Sequence, residues 1–246
     1  MANWQRGVLR LMGVRNHAVE VVSIKDFTPW YRRIVFSAPE FVRGLDVFPT
    51  LWLRLWVPNP ARGEGEVSQR GYTFVDVRPG DGTFALDFVL HETAGPAGEW
   101  ARRAEPGEKL EAALTPAKIS VPDGTTAVLL AGDATALPAI TSWLAHVPDT
   151  VAVRVYLEDS HDDHLALPQE PRAGTEFTWV TPDGERGAAL AAAITAAESA
   201  APDRYAWAAG ERSLVKAVRP VFRDHLGLDR SHSFTQSYWI EGRSAG

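Results

Sequence analysis

The first half of the chain, over residues 17–114, consists of short runs in which hydrophobic and polar positions alternate. In the run 51–57, four aliphatic residues share one face, while two tryptophans and an arginine share the other. The run 84–91 alternates in the same way. Turns rich in proline and glycine separate the runs. This pattern predicts five or six short antiparallel strands that form a small barrel.

From residue 124 onward the pattern changes to continuous hydrophobic runs separated by helical segments. Strands alternating with helices predict a doubly wound parallel sheet. Thr135 is expected to cap the first helix, and Pro220 to kink the last one. We therefore predict two domains, residues 1–120 and 121–246. The predicted strands of the second domain are 126–131, 151–157, 177–180, 205–209 and 234–239.

Composition narrows the class of protein. The 246 residues are 45% hydrophobic, which supports a full core. There is no cysteine, which excludes disulfides, thiolate metal sites and cysteine nucleophiles. The formal net charge is −6, and no basic stripe of the kind that binds nucleic acid is visible. With no apolar run of roughly 20 residues and no signal-peptide pattern, we expect a cytoplasmic protein without membrane insertion.

Small and acidic residues follow two of the predicted strands in the second domain. Gly132-Asp133 and Gly210-Glu211 come at strand ends, where open α/β sheets bind ligands. The glycines allow a phosphate or a nicotinamide to approach the backbone, and the turn at Thr135 offers helix N-terminal N–H groups. Ordinary strand-to-helix turns explain the same residues equally well, because neither a GxGxxG motif nor a P-loop is present.

In the first domain, Arg70-Gly71-Tyr72-Thr73 places a cation, an aromatic ring and a hydroxyl on one predicted strand. The tetrad alone is a weak signal. A turn of small residues over 95–98 precedes a helical stretch at 99–104, and such a turn admits a pyrophosphate to a helix N-terminus. Arg54, between two tryptophans, suits an anionic aromatic ligand, but a solvated arginine on a half-exposed strand is an equal alternative.

Two other classes of function find little support. His161-Asp162-Asp163-His164 has metal-ligand residue types, but its polar surroundings favour a solvated acidic loop. The hydrolase motifs GxSxG and HExxH are absent. We therefore expect no protein-bound metal.

A family resemblance emerges when the motifs are taken together. They are Arg70-Gly71-Tyr72-Thr73, Asp87-Phe88-Val89-Leu90-His91, Gly95-Pro96-Ala97, Trp100-Ala101, Gly132-Asp133, Thr135-Ala136-Leu137-Pro138-Ala139-Ile140, Ala209-Gly210-Glu211 and Tyr238-Trp239. In this order, over residues 17–242, the chain resembles the siderophore-interacting proteins. These are FAD-dependent ferric-siderophore reductases of the ferredoxin-reductase-like superfamily.

The resemblance implies a six-stranded antiparallel FAD-binding barrel followed by an α/β domain that binds NAD(P)H. It implies reduction of a ferric siderophore with electrons from NAD(P)H or a ferredoxin, and release of Fe(II). The residues that it implies for FAD are Arg70, Tyr72, Thr73, Val89, His91, Gly95, Ala97, Gly98 and Trp239. Those for NAD(P)H are Gly132, Asp133, Thr135, Gly210 and Glu211. Those for the substrate are Arg54 and Lys118.

The chain departs from the family pattern at several positions. Val75 stands where the family has arginine, Ala134 where it has glutamate, and Ile240 where it has arginine. Gly98 replaces the usual serine. Two alternatives therefore stay open: an NAD(P)H:flavin or ferredoxin-type reductase with another acceptor, and a binding module that has lost catalysis.

Overall fold

The structure is a computed structural model that describes residues 15–92, 95–115, 119–169 and 172–242. It divides the chain into two compact units, with the boundary between residues 118 and 119. None of the helices in these ranges is both long and apolar enough to cross a membrane.

The described part of the N-terminal unit is built from antiparallel strands and short helices. The strands are β1 (Asn16–Thr28), β2 (Tyr31–Ser37), β3 (Trp52–Pro58), β4 (Val67–Thr73), β5 (Val75–Arg78), β6 (Thr83–Val89) and β7 (Lys109–Thr115). The helices are α1 (Pro39–Val42) and α2 (Pro96–Arg103), with a 3-10 turn at Pro60–Arg62.

The sheet has seven strands, against the five or six that the sequence pattern predicted. The additional strand is β5, which has four residues and pairs with β6 only at Val75 and Arg78. Between them Asp76 has a φ of +47°, which interrupts the ladder as a bulge does. A strand this short and irregular leaves no run of alternating residues for the sequence to show.

The order of the strands shows how the sheet curves. It is β4-β3-β7-β1-β2-β6-β5, so β4 and β5 form the two edges. These edge strands are consecutive in the chain and only Phe74 separates them. Because a single residue spans a few ångströms, the sheet must curl until its edges meet. The unit is therefore a barrel-like antiparallel sheet, although no hydrogen-bonded ladder closes it within the described ranges.

The interior of this unit is formed by the aliphatic face of β3 and the aromatic face of β6. The four aliphatic residues of the run 51–57 are at most 1% exposed, as their alternation predicted. Helix α2 packs against β3, β4 and β6. Its Trp100 lies 6.3 Å from Phe36 and 5.8 Å from Phe88, measured between ring centroids. This packing holds α2 against the strands that carry the candidate residues of the first unit.

The second unit is a parallel sheet with helices between its strands, as the sequence predicted. Its strands are β8 (Ala127–Asp133), β9 (Ala152–Glu158), β10 (Thr175–Val180), β11 (Arg204–Glu211) and β12 (Ser233–Trp239), in the order β10-β9-β8-β11-β12. The helices are α3 (Leu137–His146), α4 (Ala188–Ala197) and α5 (Arg212–Pro220). Pro220 ends α5, and a π-helical turn at Val221–His225 follows.

Candidate functional site

Strand β4 presents its candidate residues on two different faces. Arg70 pairs with Leu55, and Tyr72 with Leu53, so these two side chains share the interior face of β3. Residues opposite each other in an antiparallel pair point to the same side. Gly71 pairs with Arg54, on the outer face. The predicted flavin residues Arg70 and Tyr72 therefore lie together, with Arg54 on the other side of the sheet.

Arg70 has the features of a residue that binds an anion. Its Nη1 donates to the Gln69 carbonyl at 2.6 Å, but its Nη2 is buried and has no hydrogen-bond partner within the described ranges. Burial lowers the pKa of Arg70, the nearby Tyr72 raises it, and Arg62 lowers it further. A buried guanidinium donor without an acceptor costs free energy. A phosphate oxygen would supply both the missing acceptor and the missing negative charge.

Tyr72 is held against the interior by aromatic packing. Its ring centroid lies 4.4 Å from that of Phe88, at an angle of 42°. Burial raises the pKa of Tyr72 well above its usual value, while the Arg70 charge acts in the opposite direction. The side chain is therefore a neutral phenol at physiological pH. It offers a fixed aromatic plane beside the guanidinium of Arg70.

The turn of small residues lies at the start of α2. Gly95 precedes the helix, Pro96 is its first residue, and Ala97 is 4% exposed. No side chain caps this end of the helix. Its first N–H groups have no partner inside the helix and are available to an anion. Gly98, which replaces the family's serine, adds no side chain that would cover them.

Two arginines fix the other end of α2 against its neighbours. Arg102 donates to the carbonyls of Leu90 and His91, at 3.0 and 2.7 Å. Arg32, from β2, donates to the carbonyls of Ala101 and Arg102, at 2.8 and 3.0 Å. Both contacts satisfy carbonyl groups that a helix end or a strand end leaves unpaired. The first contact holds the backbone of the half-buried His91 to the C-terminal end of α2.

In the second unit, the carboxylate of Asp133 joins three strands at their carboxyl ends. Its Oδ2 accepts hydrogen bonds from the Glu211 N–H at 2.7 Å and from Trp239 Nε1 at 3.0 Å. Its Oδ1 accepts from the N–H and the hydroxyl of Thr135, at 2.9 and 2.5 Å. Asp133 ends β8, is 5% exposed, and binds residues from the turn after β8, from β11 and from β12. It connects the elements of this unit without needing a ligand.

This arrangement corrects the prediction that Thr135 caps the first helix. Asp133 caps the 3-10 turn at Ala134–Ala136 and accepts both hydrogen bonds from Thr135, whereas the residue before α3 is Ala136, whose side chain makes no capping hydrogen bond. Leu137 begins α3 only after a 3-10 turn at Ala134–Ala136. Thr135 is a suitable residue type for a cap, but the 3-10 turn, which the sequence pattern did not show, places it one residue before the N-cap position of α3.

Glu211 is likewise engaged within the protein. Its carboxylate accepts from the N–H groups of Ser213, Leu214 and Glu241, so it caps α5 and ties down the chain after β12. Gly210 precedes it with a φ of +142°, and a Cβ there would lie 2.7 Å from Asp133 Oδ2. Both residues lie at the strand end, as predicted, and their contact with a nicotinamide stays a prediction.

Gly132 is required by packing between β8, β11 and the turn after β8. A Cβ at this position would overlap with the Ala209 carbonyl oxygen and lie 2.5 Å from the Ala136 Cβ. We expect Gly132→Ala to lower the free energy of unfolding of the second unit by about 1–3 kcal/mol, because a rigid strand cannot move aside. Urea unfolding of the full chain, followed by circular dichroism, measures this change.

The matched control is Gly80→Ala, because a Cβ at Gly80 meets nothing within 4 Å. That variant should stay within about 0.5 kcal/mol of the parent. If Gly132→Ala unfolds like the parent but no longer binds a nicotinamide, the packing explanation is wrong and the glycine faces the ligand.

The indole ring of Trp239 is contacted both at its Nε1 edge and on one of its faces. Its Nε1 binds Asp133, and the guanidinium of Arg186 lies 5.2 Å from the centroid of its ring. Arg186 also donates to Glu241 at 3.2 Å, while its buried Nε has no described partner. Sequence reasoning missed Arg186, since it lies in a polar loop whose contact is with a residue 53 positions later. The indole of Trp239 is therefore held in one orientation.

Comparison with known proteins agrees with this geometry. Residues 125–242 match the family model for the siderophore-interacting protein, and residues 61–117 match the model for the siderophore-interacting FAD-binding domain. The chain belongs to the siderophore-interacting protein family. Arg70 and the turn at Gly95 both lie inside the segment that matches the FAD-binding domain.

Two named relatives show which proteins the chain is similar to. The chain is 37% identical, over its whole length, to the mycobactin import ATP-binding/permease protein IrtA of Mycolicibacterium smegmatis, and spans 28% of that protein. It is 29% identical to the ferric acinetobactin reductase of Acinetobacter baumannii, over 92% of this chain and 78% of the reductase. The first of these relatives is thus several times longer than the chain.

Solved structures share the fold over almost the whole chain. The siderophore-interacting protein SipS of Aeromonas hydrophila superposes with a TM-score of 0.80 and 25% identity, over 94% of this chain and 93% of SipS. A ferredoxin NADP+ reductase of Neisseria gonorrhoeae gives a TM-score of 0.67 at 17% identity, over 91% and 99% of the two chains. The barrel-like sheet and the parallel sheet are therefore the two parts of a ferredoxin-reductase-like fold.

Three of the residues that depart from the family pattern are buried or half-buried. Val75 is 6% exposed and begins β5, and Ala134 is 3% exposed in the turn after β8. Ile240 is half-buried directly after β12. Of the predicted substrate residues, Arg54 lies on the outer face of β3, and Lys118 lies outside the described residues. The structure therefore shows how this family member fills these positions with apolar side chains.

The histidines of the acidic loop make local contacts. His161 Nδ1 lies 2.8 Å from Asp159 Oδ1, and the ring of His164 stacks on Trp179 with centroids 4.6 Å apart. Within the described ranges, His, Asp and Glu residues nowhere form a group of three or more that would hold a metal ion.

Proposed function

We propose that this protein is an FAD-dependent oxidoreductase that reduces ferric siderophores and so releases Fe(II). NAD(P)H is the proposed electron donor, with a ferredoxin as the other candidate. The observation that carries the proposal is the buried, unpartnered Nη2 of Arg70 inside the segment that matches the siderophore-interacting FAD-binding domain. The cytoplasmic location expected from the sequence stays a prediction.

The residues of the first unit fit the parts of FAD. Arg70 would hold the pyrophosphate by charge and hydrogen bonds, together with the N–H groups at the start of α2. Tyr72 would contact the flavin, and Val89 and His91 would line it. Thr73 pairs with Trp52 and so lies on the outer face of the sheet, and its contact with the flavin stays a prediction. When bound, FAD supplies the conversion of a two-electron donor into single-electron steps. The protein's own task is to keep these groups fixed, which the packing of Tyr72 and the contacts of Arg102 achieve.

In the second unit, the candidate nicotinamide residues lie at the carboxyl edge of the parallel sheet, where such sheets bind ligands. Trp239 is oriented there by Asp133 and Arg186. Gly210 and Glu211 end the neighbouring strand, and Thr135 lies in the turn after β8. We propose that Trp239 lies against the FAD dinucleotide, as the family resemblance implies, and that the other residues line the donor site.

The overall reaction balances with two chelates for each nicotinamide. NAD(P)H gives up a hydride, which carries two electrons and a proton. Each of two Fe(III) chelates accepts one electron to become Fe(II), and the proton is released to solvent. Oxygen-rich chelators hold Fe(III) mainly through its charge density, so the loss of one charge weakens every contact between metal and ligand. The protein needs no iron ligand for this release, and Arg54 would attract the anionic chelate.

The names of the relatives support the same proposal. One is called a ferric acinetobactin reductase, and another is called a mycobactin import protein. In the second case the matching segment is part of a much longer protein, and that protein's name supports a role for this chain in siderophore import. A reductase for another acceptor and a binding module without turnover remain the alternatives.

Visible spectra and anaerobic stopped-flow measurements test the proposal. Purified protein should show a flavin spectrum after incubation with FAD. NADH or NADPH should bleach that spectrum, and a ferric siderophore should restore it with formation of Fe(II), detected by a chromogenic ferrous chelator. Each step reports on a different part of the proposal.

The outcomes separate the alternatives. A protein that binds no flavin is not the proposed enzyme. A flavin that is bleached by the nicotinamide but reoxidised no faster by the chelate than by buffer indicates a reductase with another acceptor. A flavin that neither nicotinamide nor reduced ferredoxin can bleach indicates a binding module.

A further inference from the structure

Strand β12 forms one edge of the parallel sheet, and its composition differs from that of the other edge strands. The edge strands β4, β5 and β10 each carry at least one charged side chain, whereas β12 carries none. Charges on an edge strand oppose pairing with another chain, and uncharged aromatic and β-branched residues favour it. Among the edge strands of the described ranges, β12 therefore has the composition that is most favourable for a further strand.

The backbone of β12 directs every second residue's peptide groups away from the sheet. The His232 carbonyl accepts from the Ala206 N–H at 2.9 Å, so the even-numbered residues are the ones that bond to β11. Thr235 and Ser237 therefore direct their N–H and C=O groups away from β11. A strand added at this edge would meet two donors and two acceptors in line.

One face of β12 is covered, and the other carries exposed aromatic rings. Helix α5 covers the face of Thr235, whose hydroxyl accepts from Arg219 Nε at 3.0 Å. The opposite face carries Phe234 and Tyr238, which are 38% and 37% exposed. Trp207 of β11 lies on that same face, is buried, and has its ring centroid 6.4 Å from that of Tyr238. The buried aromatic packing of this face thus ends at two exposed rings on β12.

The side chains of β12 follow the same chemical order when they are read from either end. Gln236 stands at the centre, Thr235 and Ser237 place a hydroxyl on each side of it, and Phe234 and Tyr238 place an aromatic ring beyond each hydroxyl. Such a strand is complementary to an antiparallel copy of itself. A two-fold axis places the central residue against its own copy, and the neutral Gln236 permits this contact where a charged residue would repel it.

We propose that β12 is the interface of a homodimer, in which two copies of the chain pair antiparallel around Gln236. Thr235 of each copy exchanges N–H···O=C bonds with Ser237 of the other copy. On the exposed face, each Phe234 packs against Tyr238 of the other copy. The two five-stranded sheets then form one sheet of ten strands, which is within the size range of open sheets.

The local geometry of β12 limits the size of this interface. Gly210 pairs with Ser237 and Glu211 with Trp239, so Tyr238 is an extra residue in β12 and forms a bulge. A bulge bends an edge strand and ends regular pairing, which leaves about five paired residues in each copy. An interface this small predicts a weak dimer, with a dissociation constant of about 10–100 μM. It uses none of the residues proposed to bind FAD, the nicotinamide or the chelate, so it does not depend on the proposed function.

A cysteine at the two-fold axis tests the pairing directly, because the chain has no cysteine of its own. Gln236 would face its own copy in a non-hydrogen-bonded pair, where the Cα atoms lie about 4.5 Å apart and a disulfide can form. Gln236→Cys should therefore give a disulfide-linked dimer in a glutathione redox buffer. The matched control is Lys216→Cys, which is exposed on α5 and should cross-link at least about tenfold more slowly.

Sedimentation velocity of the full chain, from about 1 to 200 μM, measures the equilibrium without a cross-link. The parent should change from monomer to dimer over this range. Ser237→Pro should stay monomeric, because proline removes an outward N–H and is tolerated on an edge strand. Ser237→Ala keeps that N–H and should dimerise within about twofold of the parent. Melting temperatures show whether each variant keeps its fold.

Three results would overturn the proposal. The parent stays monomeric over the whole concentration range, or Gln236→Cys cross-links no faster than Lys216→Cys, or a folded Ser237→Pro dimerises like the parent and so uses another surface. If Ser237→Pro does not fold, the comparison of the two cysteine variants still decides. The proposed reductase function is read separately, from flavin reduction and Fe(II) formation, and either conclusion can fail without the other.

Discussion

Arg70→Ala should lose FAD, with a dissociation constant raised by about one to two orders of magnitude. The expected size follows from a charge-assisted hydrogen bond, which contributes about 1.5–3 kcal/mol. The guanidinium of Arg70 has a buried Nη2 without a described partner, so the alanine variant removes no internal ion pair. FAD content after gel filtration and a fluorescence titration of the apoprotein with FAD measure the effect.

Arg78→Ala is the control for this variant. Arg78 also lies in the first unit, but its side chain is 59% exposed and pairs with Asp76 at the surface. We expect that variant to retain FAD like the parent. Full flavin occupancy in Arg70→Ala would remove Arg70 from the cofactor site. It would leave the unpartnered Nη2 without a ligand to explain it.

Asp87→Ala should destabilise the first unit by about 3–5 kcal/mol, because it breaks a buried ion pair. Asp87 accepts two hydrogen bonds from Arg33, at 2.6 and 2.9 Å, and one from the Tyr31 hydroxyl at 3.0 Å. Its side chain is 2% exposed, and that of Arg33 is 17% exposed. Removing the carboxylate leaves a guanidinium and a buried phenol without their acceptor. Urea unfolding of the full chain without added FAD measures the loss.

Asp26→Ala is a matched control, since Asp26 binds Arg32 in the same two-pronged geometry, at 2.6 and 3.0 Å. The side chain of Asp26 is 52% exposed, so water screens that pair. We expect a loss of less than about 1 kcal/mol. If both variants lose the same free energy, burial does not determine the strength of these pairs.

The sequence predicted the layout of the fold because that layout depends on local periodicity. Alternation over 51–57 and 84–91 corresponds to strands β3 and β6, and the continuous run 126–131 corresponds to the central strand β8 of a parallel sheet. Each pattern depends on a single property, namely which face of the segment is buried in the core. β5 was not predicted because a strand of four residues is too short to show a period, and the bulge at Asp76 interrupts the alternation of its side chains.

The site was predictable in its residue types but not in its contacts. The motifs pointed to Arg70, Tyr72 and the turn at Gly95, and the structure brings α2, which begins at that turn, against the strand of Arg70 and Tyr72. The same reasoning expected Asp133 to line a ligand site, whereas its carboxylate is occupied by donors from two neighbouring strands and from the turn after β8. A carboxylate at a strand end looks identical in sequence whether it faces a ligand or the protein.

By itself, the sequence determined two sheets of different type, their order in the chain and the family to which the motifs belong. Only the tertiary structure decided which polar groups are satisfied internally and which remain available. Trp239 reaches Asp133 across 106 residues, and Tyr31 reaches Asp87 across 56. A hydrogen bond needs its two atoms within about 3 Å, and no local pattern fixes the approach of segments so far apart. For that reason the unpartnered Nη2 of Arg70, the atom on which the proposed function depends, became visible only in the folded chain.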